Sequence, residues 1–449
     1  MIKLFSIGGY DEVGKNMTAI QIDNDVFLFD CGLFLPPIVA MQEQEVQKEK
    51  PSERKLRNIE AIPNDLILEN FGLRNKVRAI FVSHAHLDHI GAIPYIAPRY
   101  NAEVIGTPYS IEVLNSIMKD NDQTIKNKIT SITPNSSYTV RGERHDYKVE
   151  FINITHSTLQ TAMIALHTPA GVILYANDFK FDNSPILGKK PNYERLKEIA
   201  KEGVLALIVD SLYASDERKT PSEKIARGLL EDVMLTTTNE DACIVITTFS
   251  SHIARLKSIV DFSKQLGRKT IFIGRSLNKY VSAANRLKLV PFMNDISIVS
   301  YRHQIEKILN IVNKNRDKFL IVCTGHQGEP GSVLDRLSRK QLPFQFMSQD
   351  HVIFSSKTIP TPVNIAAKKE LEHRLKIQGV RIFDMVHVSG HAGREDLRDF
   401  INMINPEHLF PAHGDTQKLN ALGELATELG YKIGKNVHIM HDGQKIQLR

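Results

Sequence analysis

Between Ser83 and Gly91 the chain places His84, His86, Asp88 and His89 within six positions. The apolar run from Val77 to Val82 directly before them predicts a buried strand. Ile90, Ile93, Ile96 and Ala97 then recur at helical spacing, so the cluster falls at a strand-to-helix turn. His84 and His86, two apart on a segment leaving a strand, can point to the same side. Asp88 and His89, at the helix start, can face a second point nearby. Imidazole nitrogens and carboxylate oxygens are ligands that zinc accepts. A lone loop histidine is more often a surface or hydrogen-bonded group than a ligand. Four ligand-type residues in the pattern His-x-His-x-Asp-His are a different case, and their split into two pairs suggests a two-metal site.

Four later positions have the same character. The apolar run Phe151 to Thr155 leads to His156, and Val172 to Ala176 leads, after Asn177, to Asp178. Val386 to Gly390 leads to His391, and Phe410-Pro411-Ala412 leads to His413. Each alone fits ordinary turn chemistry. Together they set ligand-type residues at one end of successive strands, where open sheets build their sites. The set is what two metals need: three histidines for one, Asp88, His89 and a further histidine for the other, and one carboxylate between them.

The elements that must position these residues fall into a pattern along the 449 residues, a length that suits two or three domains. The first third reads as short strands with turns, among them Val26 to Asp30, which closes at Cys31-Gly32. The glycine-rich loop Ile7 to Asn16 could cradle phosphate, although it lacks both the P-loop and the dinucleotide spacing. Residues 42–58 carry mixed charge with little periodicity and read as an exposed excursion. From about 205 the chain alternates strand and helix. Strands are expected at Leu205 to Val209, Ile244 to Thr248, Thr270 to Ile273 and Phe319 to Cys323. Helices are expected from Thr220 as cap, from Ile253 to Gly267, and after Arg275-Ser276. This is an α/β layer with parallel-sheet logic, and His351 to Ser355 with Pro360-Thr361-Pro362 leads out of it.

Composition sets the class. Hydrophobic content of 42% and charged content of 24% are ordinary for a globular protein. A formal charge of +6 permits a polyanionic partner without demanding one. Cys31, Cys243 and Cys323 match neither a thiolate zinc site nor a disulfide framework, which points to a reducing, cytoplasmic setting. No signal peptide and no apolar run of about eighteen residues is found, so no membrane helix is expected.

The order Asp30, His84-x-His86-x-Asp88-His89, His156, Asp178 resembles the motifs of the metallo-β-lactamase superfamily. Asp210, Ser389-Gly390-His391 and Pro411-Ala412-His413-Gly414 are similar to the additional motifs of the β-CASP nucleases. Ile7-Gly8-Gly9, Gly14-Lys15-Asn16-Met17-Thr18, Thr248-Phe249-Ser250, Gly274-Arg275-Ser276, Gly328-Glu329-Pro330 and Ser355-Ser356 with Ile359-Pro360 resemble the ribonuclease J family, in its shorter archaeal form without a further C-terminal domain. The implied fold is α/β: a metallo-β-lactamase αββα sandwich at 1–205 and 366–449, with an inserted α/β β-CASP domain at 206–365. Thr324-Gly325-His326-Gln327 carries His where bacterial members have Ser, and Thr361-Pro362 replaces the usual Gly-Asn-Glu.

The resemblance implies roles. His84, His86 and His156 would hold one Zn2+, and Asp88, His89 and His413 the other, with Asp178 between them. Mn2+ or Mg2+ would substitute in vitro. Asp30 would orient a ligand histidine. His391, paired with Asp210, would stand near the scissile phosphate as proton donor or charge stabiliser. Arg275, Ser276, Gly325, Gln327, Gly328, Ser356 and Ser389 would grip an RNA 5′-phosphate. The two ions would supply a hydroxide for in-line attack on phosphorus. The insert would close over the metal face and leave a channel for a single strand, with Arg275, Lys279, Arg339 and Lys340 as candidate phosphate contacts. The expected function is a 5′–3′ exoribonuclease acting on single-stranded RNA, with endonucleolytic cleavage as an additional activity. It would be cytoplasmic, homodimeric and partnered by RNA-decay proteins. The alternatives are an endoribonuclease that processes RNA 3′ ends or precursors, and an inactive RNA-binding paralogue.

Overall fold

The computed structural model describes residues 1–44, 51–359 and 362–449. They form two compact units, one of Met1–Asn183, Lys189–Thr220 and Gly390–Arg449, the other of Ser184–Gly188 and Pro221–Ser389.

The first unit holds two sheets. The seven-stranded sheet runs Lys445–Gln447, Ile2–Gly8, Met17–Ile22, Asp25–Phe29, Val77–Val82, Glu103–Gly106, Ile129–Ser131. Its first four strands pair antiparallel and the rest parallel. The six-stranded sheet runs His408–Ala412, Val204–Asp210, Gly171–Ala176, Ala162–Thr168, Asp146–Asn153, Ser136–Arg141. Phe27, Phe29 and Phe81 of one sheet share a core cluster with Phe151, Ile164, Tyr175 and Ile208 of the other. The opposite face of the six-stranded sheet, with Ile152, Leu174 and Val209, packs on residues of helices Tyr193–Glu202, Arg394–Ile404 and Thr416–Glu428. Strands covered on both faces need apolar residues at every position, which is why Val172 to Ala176 reads as an unbroken apolar run. Each such side chain contributes about 1.5–3 kcal/mol on burial. Pro411 is tolerated because its strand lies at the sheet's edge.

The second unit is built on a wholly parallel six-stranded sheet in the order Ile296–Val299, Lys269–Ile273, Phe319–Cys323, Ile244–Thr247, His351–Phe354, Arg381–Phe383. Ile273, Cys323, Thr247 and Phe354 stand in register, so the residues after them line one edge of the sheet. Arg255 is fully buried in this unit and is neutralised by Glu223, at 2.5 and 2.8 Å.

Three expectations need correction. The helical spacing after Ile90 does not give one helix. Leu87–Ile90 and Ile93–Ile96 are separate single turns, because the bond that would continue the helix is not made: Ala92 N bonds Cys31 O and Asp88 O is taken by Asn16. The helix expected from Thr220 starts at Glu223 with Ser222 as cap. Thr220 is spent elsewhere, its hydroxyl on His391 O at 2.6 Å and its amide on Asp396 Oδ2. In the charged stretch 42–58, residues 45–50 lie outside the described residues. Glu53–Asn58, however, is a helix that buries Leu56 and pairs Arg57 with the buried Asp65 at 2.7 Å, so it is not a solvated loop. Pro360 and Thr361, part of the expected exit, also lie outside the described residues.

Candidate metal centre

All ten residues assigned to the centre by sequence and resemblance, Asp30, His84, His86, Asp88, His89, His156, Asp178, Asp210, His391 and His413, belong to the first unit. The site stands where strands of both sheets end. His84 to His89 follow Val77–Val82, His156 follows Asp146–Asn153, Asp178 follows Gly171–Ala176, and His413 follows His408–Ala412. Asp30, Asp178 and His413 adopt left-handed backbone (φ 59, 53 and 55), a conformation that costs energy and clusters at functional sites.

Two groups converge on Asp178. Ligand atoms of His84, His86, His156 and Asp178 lie within 4.8 Å of one another, and so do those of Asp88, His89, Asp178 and His413. Asp178 Oδ2 is 3.4 Å from His84 Nε2, 3.3 Å from His89 Nε2 and 3.6 Å from His156 Nε2. Asp178 Oδ1 is 3.7 Å from His413 Nε2, is buried, and has no hydrogen-bond partner. A buried carboxylate oxygen left bare is costly unless a cation completes it. The donor set therefore fits metal: histidine nitrogens and carboxylate oxygens in two groups that share one aspartate.

Neighbouring groups fix which ring nitrogen is presented. Ser83 Oγ donates to Asp30 Oδ2 at 2.7 Å, so it accepts from His84 Nδ1–H at 3.0 Å and leaves His84 Nε2 bare. Asp30 also takes His89 Nδ1–H at 2.7 Å. His156 Nδ1–H donates to Gly390 O at 2.7 Å. His86 turns its Nδ1 inward, 3.1 Å from both His84 Nε2 and His156 Nε2. These outer bonds orient ligands as a carboxylate or carbonyl behind a metal-bound histidine does.

Electrostatics separate the rings. Burial, reinforced by neighbouring rings, lowers His84 and holds His86 and His156 well below the ordinary histidine value, so all three are neutral, the form that binds metal. Burial also opposes charge on His89, but Asp178, Asp88 and Asp30 outweigh it and raise this ring well above the ordinary value. Asp178 is held well below the carboxylate range by His413, His89 and His391 despite its burial. His391 donates Nδ1–H to Asp210 Oδ2 at 2.7 Å and turns Nε2 toward Asp178 Oδ2 at 3.9 Å. Against its burial, Asp178 and Asp210 raise it to about 9, so it carries a proton at neutral pH.

The seven residues read as a 5′-phosphate grip, Arg275, Ser276, Gly325, Gln327, Gly328, Ser356 and Ser389, all lie in the second unit. Arg275 and Ser276 are exposed after Lys269–Ile273, Gly325 follows Phe319–Cys323, and Ser356 follows His351–Phe354, at the shared sheet edge. Ser356 Oγ is buried without a hydrogen-bond partner. Gln327 is tied to Lys357 O and Ile359 N by its two amide ends.

In the loop Ile7 to Asn16, four amides are taken by the chain itself. Gly9 N bonds Glu12, Tyr10 N bonds Asp442, Lys15 N bonds Leu33 O and Asn16 N bonds Asp88 O. Ser83, Asn16 and the Gly390 carbonyl are partners that ligand spacing cannot reveal, since serine, asparagine and a backbone oxygen carry no distinctive pattern. Ser83 had one available signal, its place between a strand and the first histidine.

Residues 10–216 match the metallo-beta-lactamase superfamily, residues 241–369 the ribonuclease J beta-CASP domain, and residues 375–440 the Zn-dependent metallo-hydrolase RNA specificity domain. A ribonuclease J of Methanocaldococcus jannaschii is 42% identical over 445 residues, covering 99% of this chain and 98% of that protein. One from Pyrococcus abyssi is 41% identical, covering 100% of this chain and 97% of that protein. Ribonuclease J2 of Bacillus subtilis is 27% identical and is covered to 75% of its length. A crystal structure of a protein of unknown function from Enterococcus faecalis shares the fold, with a TM-score of 0.65, 17% identity and 99% of each chain covered. With similarity of this degree along the whole of both chains, the protein belongs to the ribonuclease J family of metal-dependent ribonucleases, with a β-CASP domain inserted in a metallo-β-lactamase domain.

Proposed function

We propose that the protein is a two-zinc ribonuclease that degrades single-stranded RNA from the 5′ end, with internal cleavage as an additional activity. The observation that carries this reading is Asp178, which both candidate ligand groups share and whose Oδ1 is buried and bare. His84, His86 and His156 would hold one ion, and Asp88, His89 and His413 the other, with Asp178 shared. When bound, such a pair acidifies a water and stabilises charge on both the attacking and the leaving oxygen of a phosphodiester. The chain's own residues supply the rest. Asp30 and Ser83 keep the rings in the required tautomers, and the Gly390 carbonyl does the same for His156. His391, charged and held by Asp210, offers a proton at Nε2 to an oxygen gaining negative charge.

The direction of attack is a matter for the second unit. Arg275 and Ser276, which are exposed, Gly325, and Ser356 with its buried, unpartnered Oγ follow strands that end at one edge of its sheet, residue types suited to a terminal phosphate. Gln327, Gly328 and Ser389 complete the proposed grip. The ribonuclease J names of the relatives support RNA as substrate. Three buried, unpaired cysteines support a reducing, cytoplasmic setting. No helix among the described residues is long and apolar enough to cross a membrane.

The test uses one RNA carrying a 5′-monophosphate or a 5′-triphosphate, labelled at its 5′ end or its 3′ end. Attack from a 5′-monophosphate releases labelled mononucleotide from the first time point with the 5′ label. Only internal fragments, equal for both 5′ ends, would leave the endonuclease reading in its place.

A further inference from the structure

The ligands proposed for the second ion come from two distant places, Asp88-His89 and His413, and one uncharged side chain touches both. Asn16 is 1% exposed. Its Nδ2 lies 3.1 Å from the Asp88 carbonyl oxygen, 3.1 Å from His89 Nε2 and 2.8 Å from His413 Nδ1. Its main chain adds a bond to Asp88 O at 3.1 Å and one from Gly32 N at 3.0 Å. The loop is closed tightly around it. His413 N donates to Gly9 O at 2.7 Å, and a Cβ at Gly9 would come within 2.5 Å of Asn16 Oδ1. His84 and His156, of the first set, are held instead by Ser83 and the Gly390 carbonyl.

The two faces of the His413 ring explain why an amide stands here. Its Nε2 is turned to Asp178 Oδ1, 3.7 Å away, and its Nδ1 to Asn16. A metal taken by Nε2 requires the ring proton on Nδ1, and that N–H then needs an acceptor. With no metal the proton can rest on Nε2, and Nδ1 then needs a donor. An amide offers both ends in nearly the same shape, N–H to a bare nitrogen and, turned over, oxygen to a protonated one, while the Asn16 main-chain N–H keeps its bond to Asp88 O. A carboxylate offers only the acceptor, and a hydrocarbon neither.

We propose that Asn16 is the positioning residue of the second ion's ligands, tying the Asp88 main chain to His413 and serving the His413 Nδ1 in both ring tautomers. This rests on the two-ion reading above.

The test is a Zn2+ titration of chelator-stripped full-length protein in competition with a chromophoric chelator, on the wild type, Asn16→Leu and Asn16→Asp. The melting of the stripped proteins is followed alongside. In Asn16→Leu one equivalent binds as in the wild type and the other weakens by about 10–100-fold. Asn16→Asp, which keeps an acceptor for His413, weakens that same equivalent less. If Asn16→Leu fails to fold, Asn16→Ala, which leaves space instead of bulk, is read by the same criterion. The proposal is overturned if the apolar variant binds both equivalents as tightly as the wild type, if it loses both together, or if Asn16→Asp is the weaker binder of the two. The two-ion reading fails separately, and visibly, if the wild type itself takes up fewer than two equivalents.

Discussion

His391 Nδ1 and Asp210 Oδ2 stand 2.7 Å apart, and this bond leaves Nε2 as the edge of the ring facing Asp178. The two residues are 181 positions apart in the chain, joined because the strand Val204–Asp210 ends beside the turn that carries His391. Asp178 and Asp210 together, against burial, raise His391 to about 9. The charged form thus persists through neutral pH and is lost as pH climbs through about 9. Replacing Asp210 with Asn removes one of the charges that raise His391, so in the metal-free protein the titration of this ring, followed by NMR, moves down toward the ordinary value near 6.5. The rate near neutrality drops by about 10²–10³. A His391 titration left near 9 in the metal-free variant would show that Asp210 does not govern this proton.

His86→Ala and Asp178→Asn should each cut turnover by at least about 10³, since each removes an inward-facing donor of the cluster. Far-UV circular dichroism should match the wild type, because the sheets carrying the site are packed independently through the phenylalanine core. Either variant retaining full activity would remove that residue from the ligand set.

Gly390 has little room for a side chain. A Cβ there would meet Ser157 at 3.0 Å and His156 Cε1 at 3.1 Å, while the Gly390 carbonyl is the acceptor that orients His156. Gly390→Ala is expected to lower kcat by about tenfold through displacement of that ring. Steady-state kinetics showing a change in KM alone would place the effect elsewhere.

In the second unit, the fully buried Arg255 binds both Glu223 oxygens and the Ser355 carbonyl. Arg255→Leu takes the guanidinium away from the buried Glu223, which keeps His252 beside it at 3.3 Å, and should cost about 3–5 kcal/mol. The double variant with Glu223→Leu should recover much of that loss. Urea unfolding of the single and double variants gives the comparison, and equal losses in both would contradict it.

Two buried histidines tie stability to pH. His438, in contact with His408 and stacked on Phe410, and His351, near Arg381 and Arg268, are each lowered to about 4, chiefly by burial. Both are neutral when folded and titrate near 6.5 when unfolded. Their contribution is therefore full above about 6.5 and is lost as pH falls toward 4, at up to about 1.4 kcal/mol per pH unit for each ring. Metal-free protein should melt at a lower temperature at pH 5 than at pH 7.5, and His438→Gln should narrow the gap.

Much of this architecture can be read from the sequence, because its strands are covered on both faces and so appear as unbroken apolar runs such as Val172 to Ala176 and Ile244 to Thr247. The ligand positions stand out for a related reason: core packing does not call for polar, metal-binding side chains directly after such runs. Local endings were harder to read. Thr220 has the composition of a helix cap, yet its hydroxyl is claimed by His391 O, 171 residues away, and Ser222 takes the cap. Leu87–Ile90 stops after one turn because Ala92 N and Asp88 O are claimed by Cys31 and Asn16, contacts no local pattern announces. Ser83 and Asn16 escape for the same reason. Their importance lies in what they touch, and those partners are assembled only by the fold.

Anomalous diffraction at the zinc edge, from crystals grown with zinc, tests the central claim most directly. Two peaks on either side of Asp178 are predicted, about 3.5–4 Å apart, one among His84, His86 and His156 and the other among Asp88, His89 and His413. A single peak, or a peak away from Asp178, would contradict it.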